Sequence, residues 1–170
     1  MGWFEGKTVM LIDGEIKEMP GPNPPHSTGT ELTSDALKVA FGPGFYVRSQ
    51  QPLPLGLTTD PVPDVSVVKG SMRDYATVHP TSALLVVEVS DSSLGYDMED
   101  KASLYASAGI ADYWVVDLNG RRLIVFRDPI VDAAAPFGFR YKPLSDLSET
   151  GTIAPLALPA VSVRVLDLLP

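Results

Sequence analysis

ALLVVEVS, running from Ala83 to Ser90, is the stretch that decides the fold. A short, β-branched apolar run of this length reads as a strand covered on both faces, the place of a central strand in a layered domain. Glu88 interrupts it. Side chains alternate along a strand, so Leu84, Val86, Glu88 and Ser90 share one face while Leu85, Val87 and Val89 share the other. An isolated carboxylate on an apolar face costs several kcal/mol and calls for a partner or a metal. At the end of a strand it can also simply reach water, and spacing alone leaves both readings open.

Working outward, Asp64 to Val68 (DVSVV) is a second β-branched strand, preceded by a proline-rich stretch over 52–63. FYVRSQ at 45–50 reads as a strand. Leu32, Ala36, Leu37, Ala40 and Phe41 recur at three and four residues, which predicts an amphipathic helix over 26–41 with Gly42 as its stop. PGPNPP at 20–25 predicts a loop, because proline withholds a donor and restrains the residue before it. In TVMLIDGEIKEM, residues 8–19, Asp13-Gly14 between apolar runs is a hairpin signal. Residues 70–82 read as a loop or one helical turn. Downstream, 97–108 reads as a helix ended by Gly109. Strands follow at 112–118 and 121–127, joined around Asn119-Gly120, then at 138–142 and 161–165, with 143–152 as a polar connection. No repeat appears. The pattern predicts a single α+β domain over residues 1–170: a central mixed β-sheet flanked by helices, with N-terminal and late β-hairpins.

Composition narrows the function. The 170 residues carry 13 Lys+Arg against 21 Asp+Glu, a formal charge of −8, with two histidines and no cysteine. A chain of this length can bury a core without staples. The absence of cysteine excludes disulfides, thiolate metal sites and cysteine nucleophiles, and it fits a reducing cytoplasm. The acidic balance argues against a protein that coats nucleic acid through its charge, and leaves room for a small basic or metal-lined site. MGWFEGKT at the N-terminus has neither the basic stretch nor the apolar run of a secretory leader, and Gly6 stands where a myristoylation signal wants Ser or Thr. The longest apolar run, Ala83 to Val87, is five residues against the ~20 of a membrane span. A soluble, cytoplasmic chain is expected.

The chemistry gathers near the central strand. Asp64, 24 residues before Glu88, opens its own strand in Pro63-Asp64-Val65. If the two strands are neighbours, the carboxylates converge and repel unless a cation lies between them, and oxygen ligands of this kind select Mg²⁺ or Mn²⁺. An aspartate after proline is equally an ordinary turn residue. Lys101, 13 residues beyond Glu88, can pair with Asp97 one turn earlier. It can also point back toward Glu88, where it would orient a water and stabilise charge developing on a phosphoryl group. Tyr105 lies one further turn along the same face. His26, after two prolines, reads more readily as a surface residue than as a phosphate contact, and His79 as loop. Tyr113 and Trp114 read as core aromatics and not as base-stacking platforms. Gly42-Pro43-Gly44 lacks the Lys-Ser/Thr of a phosphate loop. Arg121, Arg122 and Arg127 are either a solvated strand edge or a backbone-contacting patch for nucleic acid.

Taken in order, Pro63-Asp64, Glu88-Val89-Ser90, Lys101-x-x-x-Tyr105-x-x-x-Gly109-Ile110 and Tyr113-Trp114-Val115-Val116-Asp117 resemble a bacterial branch of the PD-(D/E)xK nuclease superfamily, the restriction-endonuclease-like proteins. The likeness extends to Leu11-Ile12-Asp13-Gly14-Glu15-Ile16, His26 and Leu123-x-Val125-x-Arg127. It implies a restriction-endonuclease-like core and a metal-dependent endonuclease acting on DNA. By that likeness Asp64, Glu88 and the backbone carbonyl of Val89 would hold Mg²⁺ or Mn²⁺, and Lys101 would position the attacking water. The fold also implies a homodimer. Two positions depart from the pattern. Ser90 stands where the superfamily's lysine usually falls, a loss that Lys101 on the following helix repairs in this branch. Met10 stands where the branch often has an acid, with Glu15, His26 and Glu31 as the nearby groups that could replace it. Met10 and the acidic surface favour a second reading, a nuclease fold kept as a non-catalytic binding or assembly module.

Overall fold

A computed structural model describes residues 8–19, 21–142 and 145–170. The lipidation reading on residues 1–6, the leader reading on residues 1–8 apart from Thr8, Pro20 of the loop at 20–25, and the first two residues of the polar connection at 143–152 lie outside these.

Asp13 and Gly14 take φ of 49° and 80°, the left-handed pair that a two-residue hairpin turn requires. They join β1 (Thr8–Ile12) to β2 (Glu15–Met19), with Ile12 opposite Glu15. This hairpin stands apart from the main sheet and is tied to the loop at 58–60. Gly14 N–H donates to Thr58 O at 2.8 Å and Asp60 N–H to Leu11 O at 2.7 Å.

Helix α1 spans Pro24–Phe41 and so starts two residues before the predicted 26. The loop reading of Pro24 and Pro25 is corrected for a physical reason. The first helical N–H groups have no partner inside the helix, so prolines there lose nothing. Asn23 caps the turn by accepting the His26 N–H at 3.0 Å. The helix ends at Gly42, φ 64°, as its pattern predicts.

β3 (Phe45–Ser49), β4 (Val65–Lys69), β5 (Leu85–Ser90), β6 (Asp112–Asp117) and β7 (Arg122–Arg127) follow within about one residue of their predicted bounds at most ends. A 3-10 turn, Met72–Tyr75, lies between β4 and β5. The helical segment after β5 has three parts: α2 (Leu94–Tyr96), a π-turn (Asp97–Lys101) and α3 (Ala102–Ser107). The predicted helix start at 97 misses the first of these. Short strands β8 (Pro129–Val131) and β9 (Phe139–Tyr141) pair with each other. β10 (Ser145–Ser148) falls in what reads as polar connection. β11 (Thr152–Ile153) and β12 (Val163–Arg164) precede a 3-10 turn, Val165–Leu168, so the strand predicted over 161–165 is only two residues long.

The main sheet has the order β10-β7-β6-β5-β4-β3. It is mixed: β5 and β6 are parallel, joined by the α2–α3 crossover, and every other pair is antiparallel. The fold is α+β. β5 is buried from end to end. Val87 and Val89 pack with Trp114, Val116 and Leu37 of α1, while Val86 packs with Tyr105, Tyr113 and Val115. The two-faced reading of ALLVVEVS therefore holds. Gly29 lets α1 close on β5: a Cβ there would lie 2.9 Å from Val89 Cγ1 and 3.1 Å from Leu118 Cδ2.

The arginine cluster is neither a bare edge nor an open patch. β10 covers β7, with Leu147 opposite Leu123. Arg121 pairs with Glu149 at 2.6 Å, Arg122 with Asp117 at 2.7 Å and Arg127 with the buried Asp112 at 2.8 Å. Among the described residues no helix is long and apolar enough to cross a membrane.

Candidate active site

Antiparallel pairing places Val65 opposite Val87, so Asp64 and Glu88, one step beyond, meet at the end of the two central strands. Asp64 N–H points to Glu88 Oε2 at 3.4 Å, and Val89 N–H donates to Asp64 Oδ2 at 2.8 Å. Glu88 is 1% exposed. Its Oε1 accepts from the Tyr105 hydroxyl at 2.7 Å and its Oε2 lies 2.9 Å from Lys101 Nζ.

The π-turn shapes the lysine side of the site. Single π-turns inside helices recur at functional positions because they re-aim side chains. Here Lys101 Nζ reaches both Glu88 and, at 3.2 Å, Asp97 Oδ1. The two sequence readings of Lys101, helical ion pair and strand-facing cation, are both satisfied at once. Asp97 is itself 1% exposed. It accepts from Ser93 Oγ, and its backbone carbonyl accepts from the Tyr113 hydroxyl at 2.8 Å.

His26 is not a free surface residue. As the third residue of α1 its Nε2 lies 3.2 Å from Asp64 Oδ2, and its side chain is 21% exposed. Asn23 Nδ2 donates to Asp91 Oδ2 at 2.6 Å, tying the same helix start to the loop leaving β5.

The electrostatics follow from crowding three carboxyls into a dry corner. Burial pushes Glu88 up to about 8, against the pull of Lys101. Burial would likewise lower Lys101, but Glu88 and Asp97 more than offset it and hold the ammonium charged well beyond its ordinary range. Burial pushes Asp64 up, yet the hydrogen bond and charge of His26 prevail and keep the carboxylate below its usual value. The same hydrogen bond raises His26. Tyr105 is raised far above an ordinary phenol by burial and by Glu88, so it stays a donor.

Asp64, His26 and Lys101 line a cleft of about 690 Å³, with Met10 and Lys17 of the hairpin and Tyr96 among its walls, while Glu88 and Asp97 lie buried behind it. Asp64, Glu88 and Lys101 are thus brought together, and Met10 faces the cleft. Glu15 and Glu31 are exposed and do not line it, and His79 instead lies 3.0 Å from Arg48 Nη2. Sequence reasoning passed over Asp97 as a site residue and left His26 at the surface. The only signal for Asp97 was its four-residue spacing from Lys101.

A mixed sheet offering carboxylates from two adjacent central strands, with a lysine from the crossover helix, is the architecture of the restriction-endonuclease-like class. The chain belongs to the Uma2 family, described as "Putative restriction endonuclease", whose model matches residues 4–167. Among solved structures it is similar to a protein titled a putative nuclease belonging to DUF820, from Anabaena variabilis ATCC 29413. The TM-score is 0.71 over 94% of this chain and 88% of that chain, at 14% identity, a likeness of fold. A comparison with curated proteins gives no match.

Proposed function

We propose that this chain is a divalent-metal-dependent endonuclease hydrolysing phosphodiester bonds in DNA. The observation that carries the reading is the charge balance of the buried corner. Asp64, Glu88 and Asp97 face Lys101 and His26, leaving an excess of negative charge that a proton on Glu88 or a bound cation must offset. Both hydrogen bonds to the Asp64 carboxylate end on Oδ2, so Oδ1 has no partner among the described residues. Among those residues no group of three or more His, Asp and Glu side chains has the spacing of a metal cage. Two carboxylates completed by a peptide oxygen and water are a hard-oxygen set that suits Mg²⁺ or Mn²⁺, which keep several waters when bound. Asp64, Glu88 and the Val89 carbonyl would hold the ion. Bound there, it would lower the pKa of a water and polarise the phosphoryl oxygens.

The chain's own groups have separate tasks. Lys101 is held protonated, so it acts as a donor and not as a base: it orients the attacking water and stabilises charge on the phosphoryl oxygens. Tyr105 fixes the Glu88 carboxyl by donating to Oε1. His26 and the Val89 N–H fix Asp64 by donating to Oδ2. The test is cleavage of single- and double-stranded DNA by the purified chain in MgCl₂ or MnCl₂. Asp64→Asn and Glu88→Gln should abolish cutting while keeping the fold by circular dichroism. A wild-type chain that cuts no DNA with either ion refutes the proposal. The second reading, a catalytically silent nuclease fold, is favoured by Met10 in the cleft. It predicts no cutting and no thermal stabilisation by Mn²⁺ that depends on Asp64.

A further inference from the structure

The recessed site, its aromatic wall and the fate of the surface cations bear on which form of nucleic acid reaches the site. The cleft, about 690 Å³ in volume, is lined by Met10 and Lys17 of the hairpin, His26 of α1, Asp64, Tyr96 and Lys101. The groups proposed to react are recessed: Asp64 and Lys101 line the cleft with side chains 9% and 14% exposed, and Glu88 lies behind them at 1%. Tyr96 stands on the wall beside them, with Lys101 Nζ 5.8 Å from its ring centre. From the opposite wall Lys17 reaches across from the hairpin, its Nζ 5.4 Å from the same ring. Tyr96 makes no hydrogen bond through its hydroxyl among the described residues. Its ring is the one Phe, Tyr or Trp ring among the described residues lining the cleft.

A duplex is gripped through a track of free Lys and Arg along its phosphates. Among the described residues Lys38, Arg121, Arg122, Arg127, Arg140 and Arg164 each already face a carboxylate within 3.0 Å. Lys69 ends β4 and Arg73 follows it, away from the end of that strand where Asp64 sits. Among the described residues lining the cleft the lysines are Lys17 and Lys101, and Lys101 is already held by Glu88 and Asp97, which leaves Lys17 to meet a phosphate. Among the described residues, a single tyrosine ring with Lys17 beside it, above recessed carboxylates and with no track of unpaired cations, makes the elements of a single-strand site, where base stacking supplies what phosphate charge cannot.

Resting on the endonuclease reading above, we infer that the cleft takes a single-stranded polynucleotide, one base stacked on Tyr96 and a phosphate met by Lys17, and excludes an intact duplex. The test is fluorescence anisotropy with the full chain, in EDTA and again in MgCl₂. The probes are a fluorescein-labelled thymidylate decamer, the matching uridylate decamer and a ten-base-pair duplex. The single strand should bind at least tenfold tighter than the duplex, and comparing the two decamers separates DNA from RNA. Stacking worth ~1–3 kcal/mol per base converts to a loss of about 5- to 150-fold in single-strand affinity for Tyr96→Ala, with Tyr96→Phe within about twofold of wild type. Should Tyr96→Ala fold poorly by circular dichroism, Tyr96→Leu against Tyr96→Phe carries the comparison, and the wild-type preference stands by itself. Equal or tighter binding of the duplex, or no loss on removing the ring, overturns the inference. Cleavage of duplex as fast as single strand overturns it too, while leaving the endonuclease reading standing. Tight single-strand binding without cleavage of any DNA does the reverse.

Discussion

Replacing Lys101 by methionine isolates the buried charge cluster. Methionine keeps much of the aliphatic stem and removes the ammonium that lies 2.9 Å from Glu88 and 3.2 Å from Asp97. Both carboxyls are 1% exposed, so neither can turn to water. Removing one partner of a buried pair typically costs about 3–5 kcal/mol, because the survivor remains desolvated and unpaired. Glu88 can relieve part of this by protonation, since burial already raises it to about 8. At pH 7 the cost should therefore fall near the lower bound, about 3 kcal/mol, and it should grow as pH rises and the proton becomes harder to keep. In a chain of this size each kcal/mol moves Tm by ~2–4 °C, so a fall of roughly 6–12 °C is expected. Glu88→Gln added to Lys101→Met replaces the carboxyl that must otherwise hold a proton, and should recover at least half of the loss that appears as pH rises above about 8. The assay is urea unfolding read by the fluorescence of the buried Trp114, for wild type, both single variants and the double variant. A Lys101→Met cost below ~1 kcal/mol, or a double variant that merely sums the singles, would refute the buried-pair reasoning.

Other expectations follow from the same corner. On the proposed endonuclease reading, metal binding would require Glu88 ionised, so Mn²⁺ affinity should fall roughly tenfold per pH unit below about 8. Calorimetry in two buffers of different ionisation heat should find close to one proton released per ion at pH 7, and an affinity flat from pH 6 to 8 would contradict this. His26 is raised by Asp64, so its contribution to stability is complete below the ordinary histidine value of 6.5 and is lost as pH rises through the folded value. His26→Gln should therefore cost more stability at pH 5.5 than at pH 8.5, and the opposite order in urea melts would sink the assignment. Gly29→Ala should cost about 1–3 kcal/mol by overpacking against Val89 and Leu118. It should also weaken Mn²⁺ binding by moving the helix start that carries His26, whereas a neutral substitution would mean α1 has slack against the sheet.

What the sequence disclosed depends on how local each feature is. β5 was legible because an unbroken apolar run has one economical explanation, and Glu88 stood out against it by parity alone. The meeting of Asp64 with Glu88 needed only that two β-branched strands be neighbours. The hairpin at Asp13-Gly14 is fixed by φ values that few residue pairs accept. The π-turn was not legible, because Asp97 and Lys101 are four apart in either helix type and only the packing against Glu88 selects the wider turn. Pro24 and Pro25 misled because their usual meaning reverses in a first helical turn. β10, SDLS, is too polar to announce a strand, and it becomes one by lying against Leu123 and Val125. The roles of Arg121, Arg122 and Arg127 were undecidable locally, since Glu149, Asp146 and Asp112 lie elsewhere in the chain.

The β1–β2 hairpin has a consequence for motion. It shares no ladder with the six-stranded sheet, and the backbone bonds that tether it to the body run to a loop at Thr58 and Asp60. Its amides should exchange with solvent well before those of β5 and β6, at the low-stability end of the molecule's opening modes. One wall of the cleft is thus a panel hung on a loop, while the floor is bolted into the sheet. The opening of the cleft becomes a thermal variable, whereas the spacing of Asp64 and Glu88 does not.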